Sequence, residues 1–157
     1  MKILIVYDSY FGNTEQVALA LKKSFKDDDS VDIQRISQVT TDSLTRADLL
    51  FVGSPTRKFS ATPAIKSFLK KLPEKSLDGI KTAAFDTRID ILEINNRFLT
   101  FMVKLFGYAA EPLDALLRKK GGKPVLPPEG FIVKDTEGPL KEGELDRAVS
   151  WAQQALR

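Results

Sequence analysis

Residues 3–18 read ILIVYDSYFGNTEQVA: four aliphatic residues, Ile3 to Val6, run into Tyr7 and Asp8, and the chain then changes to a helical pattern. A short aliphatic run bounded by polar residues predicts a buried strand, and Val17, Ala18, Leu21 and Phe25 predict a helix with one apolar stripe. From Ser9 to Thr14 the chain must turn sharply into that helix, which leaves several backbone N–H groups unpaired at the positive end of the helix dipole. An anion is their natural partner. Gly12 lets the backbone approach closely, and the hydroxyls of Ser9 and Thr14 with the amide of Asn13 add neutral donors around the same point. On this stretch alone a plainer reading stays open, in which Thr14 or Asn13 caps the helix and Gly12 makes the bend. The stretch lacks the Gly-Lys-Ser/Thr of a triphosphate loop and the three glycines of a dinucleotide fingerprint, so it points to neither ATP nor NAD.

Outward from here, short apolar runs alternate with stretches of helical period, the pattern of a parallel sheet covered by helices on both faces. Strands are expected at Lys2 to Tyr7, Val31 to Ile36, Asp48 to Gly53, Thr82 to Asp86 and Gly130 to Val133, with Pro127-Pro128 as the turn into the last. A short helix is placed at Asp42 to Arg46. The next takes Thr62 as N-cap and Pro63 in its first turn, buries Ile65, Phe68, Leu69 and Leu72, and stops at Pro73. Another runs from Tyr108 to Lys120 and stops at Gly121-Gly122, and a final helix buries Leu145, Ala148, Val149, Ala152 and Leu156. Ile89 to Gly107 is too apolar for an idle connection and reads as an extra short helix packed over one end of the sheet.

Composition sets the outer limits. At 157 residues and 43% apolar content the chain fits one domain, 1–157. With no cysteine and no histidine, disulfides, thiolate ligands, cysteine nucleophiles and the commonest catalytic base are all excluded, which points to chemistry borrowed from a cofactor. The first apolar run ends at Asp8 with no small-residue cleavage site after it, so it reads as a strand rather than a signal peptide. The stretch Phe98 to Phe106 is cut by Lys104 and falls short of the roughly 20 residues of a bilayer span. A cytoplasmic protein without a membrane span is the expectation. The net charge of +3 includes clusters at Arg57-Lys58, Lys70-Lys71 and Arg118 to Lys123, but no aromatic-interleaved basic stripe, so no nucleic-acid partner is expected.

A parallel sheet collects its ligand sites at the carboxyl ends of its strands. Gly53-Ser54-Pro55-Thr56-Arg57-Lys58-Phe59 follows the third strand and Asp86-Thr87-Arg88 the fourth, so both reach the rim that carries Ser9 to Thr14. With these three loops on one rim, the chain resembles the flavodoxin-like FMN-binding family over essentially its whole length. Ser9-Tyr10-Phe11-Gly12-Asn13-Thr14-Glu15 is similar to the family's phosphate loop, Gly53-Ser54-Pro55-Thr56 to its second flavin loop, and Ala84-Phe85-Asp86-Thr87-Arg88 to its third. The tail from Pro127 to Phe131 and from Glu137 to Leu145 resembles that of small bacterial and archaeal flavodoxin-domain proteins. The resemblance implies a doubly wound α/β fold with a five-stranded parallel sheet of order 2-1-3-4-5. It places the FMN phosphate on Ser9, Tyr10, Phe11, Gly12, Asn13 and Thr14. The flavin ring then lies between the Ser54-Pro55-Thr56-Arg57-Lys58-Phe59 segment and Asp86, Thr87 and Arg88.

Two departures bear on function. Phe11 stands where the family's phosphate loop has threonine, which removes one hydroxyl and predicts weaker FMN binding. Asp86-Thr87-Arg88 supplies no ring to stack on the flavin, leaving Phe59 as the nearby aromatic. Arg57, Lys58 and Arg88 would favour the anionic reduced ring, since a cation at roughly 5 Å and an effective dielectric near 20 is worth a few kcal/mol before screening. The leading expectation is an FMN-binding electron carrier, tuned to be less reducing, that serves redox partner proteins or a small electron acceptor. The alternatives are an FMN-dependent NAD(P)H:quinone-type reductase and a module that has lost FMN and acts in protein interaction. Ile89 to Gly107 is a candidate protein or substrate contact. A phosphorylated receiver domain is excluded because the third strand ends in Gly53-Ser54 rather than aspartate.

Overall fold

The computed structural model describes residues 1–157. Along the chain the elements are β1 (Lys2–Tyr7), α1 (Asn13–Lys22), β2 (Ser30–Arg35), α2 (Thr41–Thr45), β3 (Leu49–Pro55), α3 (Pro63–Lys71), β4 (Lys81–Ile89), α4 (Arg97–Phe106), α5 (Ala110–Lys119), β5 (Lys123–Pro124), β6 (Glu129–Val133) and α6 (Glu144–Gln153). The sheet runs β2-β1-β3-β4-β5, with β6 also on β4, and every pairing is parallel. This is the expected order.

The continuous apolar character of β1 and β3 follows from burial on both faces. Successive side chains alternate sides, so Leu4, Val6, Leu50, Val52 and Ala84 pack against Ile65 and Leu69 of α3 and Leu113 and Leu117 of α5. Ile3, Ile5, Phe51, Ala83 and Phe85 turn to the opposite layer, where Val17, Ala18 and Leu21 of α1 meet Ala148, Trp151 and Ala152 of α6. The indole of Trp151 sits edge-on to Phe51, Phe85 and Phe131 at 5.7, 6.3 and 5.9 Å, the geometry that ring quadrupoles favour. Gly53 is required by this packing: a Cβ there would stand 2.1 Å from Cζ of Phe85.

Helix ends follow local chemistry. Gly121 has φ +97°, its N–H donates to Arg118 O, and Gly122 N–H reaches Leu117 O at 3.0 Å, which closes α5 as a Schellman motif. Lys120, just before it, is buried and donates from Nζ to the carbonyls of Lys70 and Leu72, capping the end of α3.

Four expectations are corrected. Thr62 occupies the N-cap position of α3, but its hydroxyl caps nothing; the Thr62 N–H donates to Ser54 Oγ at 3.0 Å. In α6 the buried stripe is Ala148, Trp151 and Ala152, continued by Ala155 just beyond the helix, while Leu145 and Leu156 are exposed, because the large indole turns the helix to bring itself onto the sheet. The fifth strand position is filled by two pieces, not one. Thr82 pairs with Pro124 and Phe85 with Glu129, so Val125 to Pro128 bulge out opposite Ala83 and Ala84. Pro127-Pro128 thus interrupt the strand instead of turning into it, since neither proline has an N–H to give the ladder. Beyond the bulge, β6 is held from outside by α6: Ile132 N–H donates to Glu144 Oε2 at 2.6 Å, and Arg147 donates to Gly130 O.

The fourth correction concerns α4. It is a helix, opened by Asn96, whose Oδ1 accepts from the N–H groups of Phe98 and Leu99, and closed at Gly107 with φ +71°. It does not pack over the sheet, and none of its residues is buried. Its last residue, Phe106, meets Phe59 with ring centroids 6.2 Å apart.

Candidate functional site

The turn after β1 is held from below. Asp8 N–H still bonds Gly53 O at 3.1 Å, the Asp8 carboxylate accepts from Ser9 N–H, and Arg35 Nη1 donates to Ser9 O. Gly12 then takes φ +89°, a left-handed conformation that glycine adopts without a side-chain penalty, and its N–H donates to Ser9 Oγ at 3.0 Å. The N–H groups of Tyr10, Phe11, Asn13, Thr14 and Glu15 have no acceptor in the chain. They gather at the positive end of α1, a ten-residue helix, the arrangement that favours negative charge.

Side chains predicted to add donors divide their roles. Ser9 keeps its hydroxyl hydrogen for an outside acceptor. Thr14 Oγ1 lies 2.7 Å from Thr87 Oγ1, so this pair bonds internally and has one hydrogen left. Asn13 is otherwise engaged: its Nδ2 donates to Glu137 O at 3.1 Å, and Gly138 lies so close that a Cβ there would stand 2.5 Å from Asn13 Oδ1. The Asn13 amide therefore ties down the loop after β6.

In the second loop, Ser54 is fully buried and spends its hydroxyl on Pro55 O and Thr62 N–H. Thr56 bridges sideways, its N–H to Thr87 O and its Oγ1 accepting from Ala109 N–H. Arg57 and Ser60 exchange both backbone hydrogen bonds across a two-residue turn in which Lys58 and Phe59 have φ of +48° and +61°. Two non-glycine residues in the left-handed region cost about 1–2 kcal/mol each. The Arg57 guanidinium lies over the rings of Tyr10 and Phe11 at 5.1 and 5.5 Å, joining the first loop to the second. Phe59 turns toward Phe106 and away from the cleft.

The predicted third loop is a strand. β4 continues to Ile89, and alternation decides where its side chains go. Thr87 faces α1. Asp86 and Arg88 face α5, where the carboxylate, 0% exposed, takes both Arg88 Nε and Nη2 at 2.7 Å and the Ala110 N–H at 2.9 Å. The Arg88 side chain, 14% exposed, also stacks on Tyr108 at 3.8 Å. Burial pushes the Asp86 carboxyl above the ordinary carboxylate range against the pull of Arg88. Burial likewise disfavours the Arg88 cation, but Asp86 outweighs it and holds the guanidinium above its usual value. Arg88 is thus no free cation, and the uncompensated positive charge on this rim belongs to Arg57 and Lys58.

Between these segments lies a cavity of about 270 Å³. Its walls include Ser9, Tyr10, Phe11, Asn13 and Thr14 from the first loop, Pro55, Thr56, Arg57 and Lys58 from the second, and Thr87 and Arg88 from β4. Gly12, Ser54, Phe59 and Asp86 stand behind or beside the wall. Three lining residues were missed: Ile89, Val133 and Thr136. Val133 pairs with Ile89 in register, and the rule that ligands gather at strand ends applies to β6 as much as to the other strands, so the signal was available. Tyr108 was missed as well; no sequence pattern places a residue nineteen positions after Ile89 against Arg88. No group of three or more Asp or Glu side chains is arranged to hold a metal ion, and no helix is long and apolar enough to cross a membrane.

A sequence profile of the flavodoxin domain matches residues 4–97. The chain is 30% identical over 86 residues to the probable flavodoxin 1 of Bacillus subtilis (strain 168); the match takes in 54% of each chain, so this chain spans about half the length of that curated relative. Over 99% of its length it superposes on 96% of a flavodoxin from the domain Archaea, with a TM-score of 0.76 and 19% identity. It likewise superposes on 98% of oxidised flavodoxin 2 from Bacillus cereus, with a TM-score of 0.74 and 22% identity.

Proposed function

The chain belongs to the flavodoxin domain family, and on that premise we propose that it is a single-domain, cytoplasmic electron carrier whose flavin is FMN. The observation that carries this reading is the set of five unpaired N–H groups at the start of α1, at the edge of a cavity walled by the other strand ends. A phosphomonoester is the anion they suit: the N–H groups and the Ser9 hydroxyl, with the hydrogen left over from the Thr14–Thr87 pair, surround it with neutral donors and no lysine. The flavin ring supplies one- and two-electron redox chemistry when bound. The chain's own residues supply position and field. Pro55 to Lys58 and Thr87 to Ile89 line the part of the cavity left for a flat ring, and the bond from Thr56 N–H to Thr87 O ties these two segments side by side. Arg57 is seated on Tyr10 and Phe11, so phosphate loop and ring loop move as one.

Redox tuning rests on Arg57 and Lys58, because the charge of Arg88 is compensated by Asp86. Two exposed cations favour the anionic reduced ring less than three would, and salt screens them. The family's redox partners, proteins or small acceptors, meet the ring at its open edge. Titrating FMN into the apoprotein tests the proposal by calorimetry, flavin fluorescence and thermal melting. Heat release, quenching and a raised Tm are expected; their joint absence at saturating FMN refutes it. Steady-state oxidation of NADH or NADPH with a quinone acceptor separates the carrier from a reductase, and the carrier reading expects no turnover above free FMN.

A further inference from the structure

Helix α4 presents an apolar face to solvent that nothing else in the chain covers. Phe98, Phe101 and Leu105, at i, i+3 and i+7, are 67%, 59% and 60% exposed, Phe106 is exposed beside them, and Leu92 and Ile94 extend the surface ahead of the helix. These six account for half of the twelve large apolar side chains exposed in the whole chain. A contiguous surface of this kind marks a place of association. The remaining face identifies the associate. The only charges on α4 are Arg97 and Lys104, about two turns apart on the margin of the apolar arc, and no acidic residue occurs in the helix. The Arg57–Ser60 hairpin, which touches α4 through Phe59 and Phe106, adds the exposed Arg57 and Lys58. Of the nearby acids, Glu93 pairs with Lys141 at 3.0 Å, Glu111 lies 4.0 Å from Arg88, and the carboxylate of Asp90 accepts from Leu92 N–H.

We propose that α4 is a membrane-surface anchor that lies flat in the headgroup layer of an anionic bilayer, its phenylalanines in the acyl boundary and its cations among the lipid phosphates. Phenylalanine and leucine on one face with lysine and arginine at the margin are the composition of an interfacial helix. At ten residues, or about 15 Å, it is too short to cross a hydrocarbon core of about 30 Å, so it lies in the plane. A second copy of the chain fits less well. An antiparallel α4 pair would bring Arg97 and Lys104 of both copies to one seam with no carboxylate on the helix to receive them. Attachment is weak and reversible, as befits a single short helix.

The test needs no flavin, so it stands or falls apart from the proposed FMN site. The full chain is floated with vesicles of phosphatidylcholine alone and of phosphatidylcholine mixed with phosphatidylglycerol. Binding is expected only to the mixed vesicles, falling as salt rises. Phe98→Ser with Phe101→Ser should abolish it while circular dichroism and Tm stay at wild-type values, since both side chains are exposed. Arg97→Gln and Lys104→Gln should each lower the partition coefficient about fivefold. Equal binding to neutral vesicles, absence of binding to anionic ones, or wild-type binding by the double serine variant overturns the proposal. So does a dimer in sedimentation that the serine pair dissolves, which would assign the face to a second copy.

Discussion

Asp86→Asn removes the acceptor at the centre of the most deeply buried charge pair in the protein. The native carboxylate accepts two bonds from Arg88 at 2.7 Å and one from Ala110 N–H at 2.9 Å. Asparagine keeps the volume and one oxygen, which can serve Ala110, but it turns an N–H₂ toward a guanidinium that has only donors. Arg88, 14% exposed, recovers only part of its hydration, and its other carboxylate, Glu111, lies 4.0 Å away and is itself exposed. Breaking a buried pair by removing one partner costs about 3–5 kcal/mol; partial access to Glu111 and water puts this case near the lower bound, about 3 kcal/mol. For a chain of this size, about 2–4 °C of Tm goes with each kcal/mol, so a fall of about 6–12 °C is expected in thermal melts, with a matching shift of the urea midpoint. The double variant Asp86→Asn with Arg88→Gln removes the stranded cation and allows a neutral amide pair, so it should recover at least half of the loss. A single variant within about 1 kcal/mol of wild type, or a double variant worse than the single, refutes the view that Arg88 depends on Asp86.

Gly12→Ala meets no atom within 4 Å, so its cost, about 1–2 kcal/mol, is purely that of φ +89°; relief of that strain tilts the N–H cluster, and FMN titration should show about fivefold or greater weakening. Unchanged affinity in a destabilised variant would remove the phosphate from this turn. Lys120→Met leaves the Lys70 and Leu72 carbonyls without their buried donor and should lower unfolding free energy by about 1–3 kcal/mol in urea. Burial alone would push the Glu144 carboxyl up, but bonds from Arg147 and Ile132 N–H carry it below the ordinary 4.5. A lowered folded value gives stability that is present above pH 4.5 and lost as pH falls through the folded value. Urea melts of wild type and Glu144→Gln should therefore differ at neutral pH and converge in acid; a constant gap would contradict the pairing.

Elements with a single period were legible in the sequence. β1 and β3 show unbroken apolar runs because both faces are buried, and Val17, Ala18 and Leu21 mark the inward side of α1. What stayed hidden depends on contacts far apart in the chain. The inward side of α6 is decided by Trp151 against Phe51, Phe85 and Phe131, whereas the sequence alone favoured Leu145 and Leu156. The sequence places the end of the fourth strand at Asp86; pairing with β6 and the partnership of Asp86 with Arg88 carry β4 three residues further. For the candidate site, loop positions were readable but side-chain duties were not. Asn13 serves Glu137, and Ser54 serves Thr62, bonds that depend on which distant backbone comes near.

The outer rim of the sheet has a consequence for the protein in crowded solution. An unpaired strand border offers a row of donors and acceptors to any passing chain, and this is how folded domains recruit one another into fibrils. On the β5–β6 side that row is broken in the middle by two prolines, and Glu144 and Arg147 occupy polar groups on either side of Phe131. Val133 is further screened by an antiparallel bridge to Leu140. A foreign strand laid along this border finds almost nothing to bond, so growth by strand addition is left only to the opposite border at β2, where Asp32 and Arg35 put charge in its way.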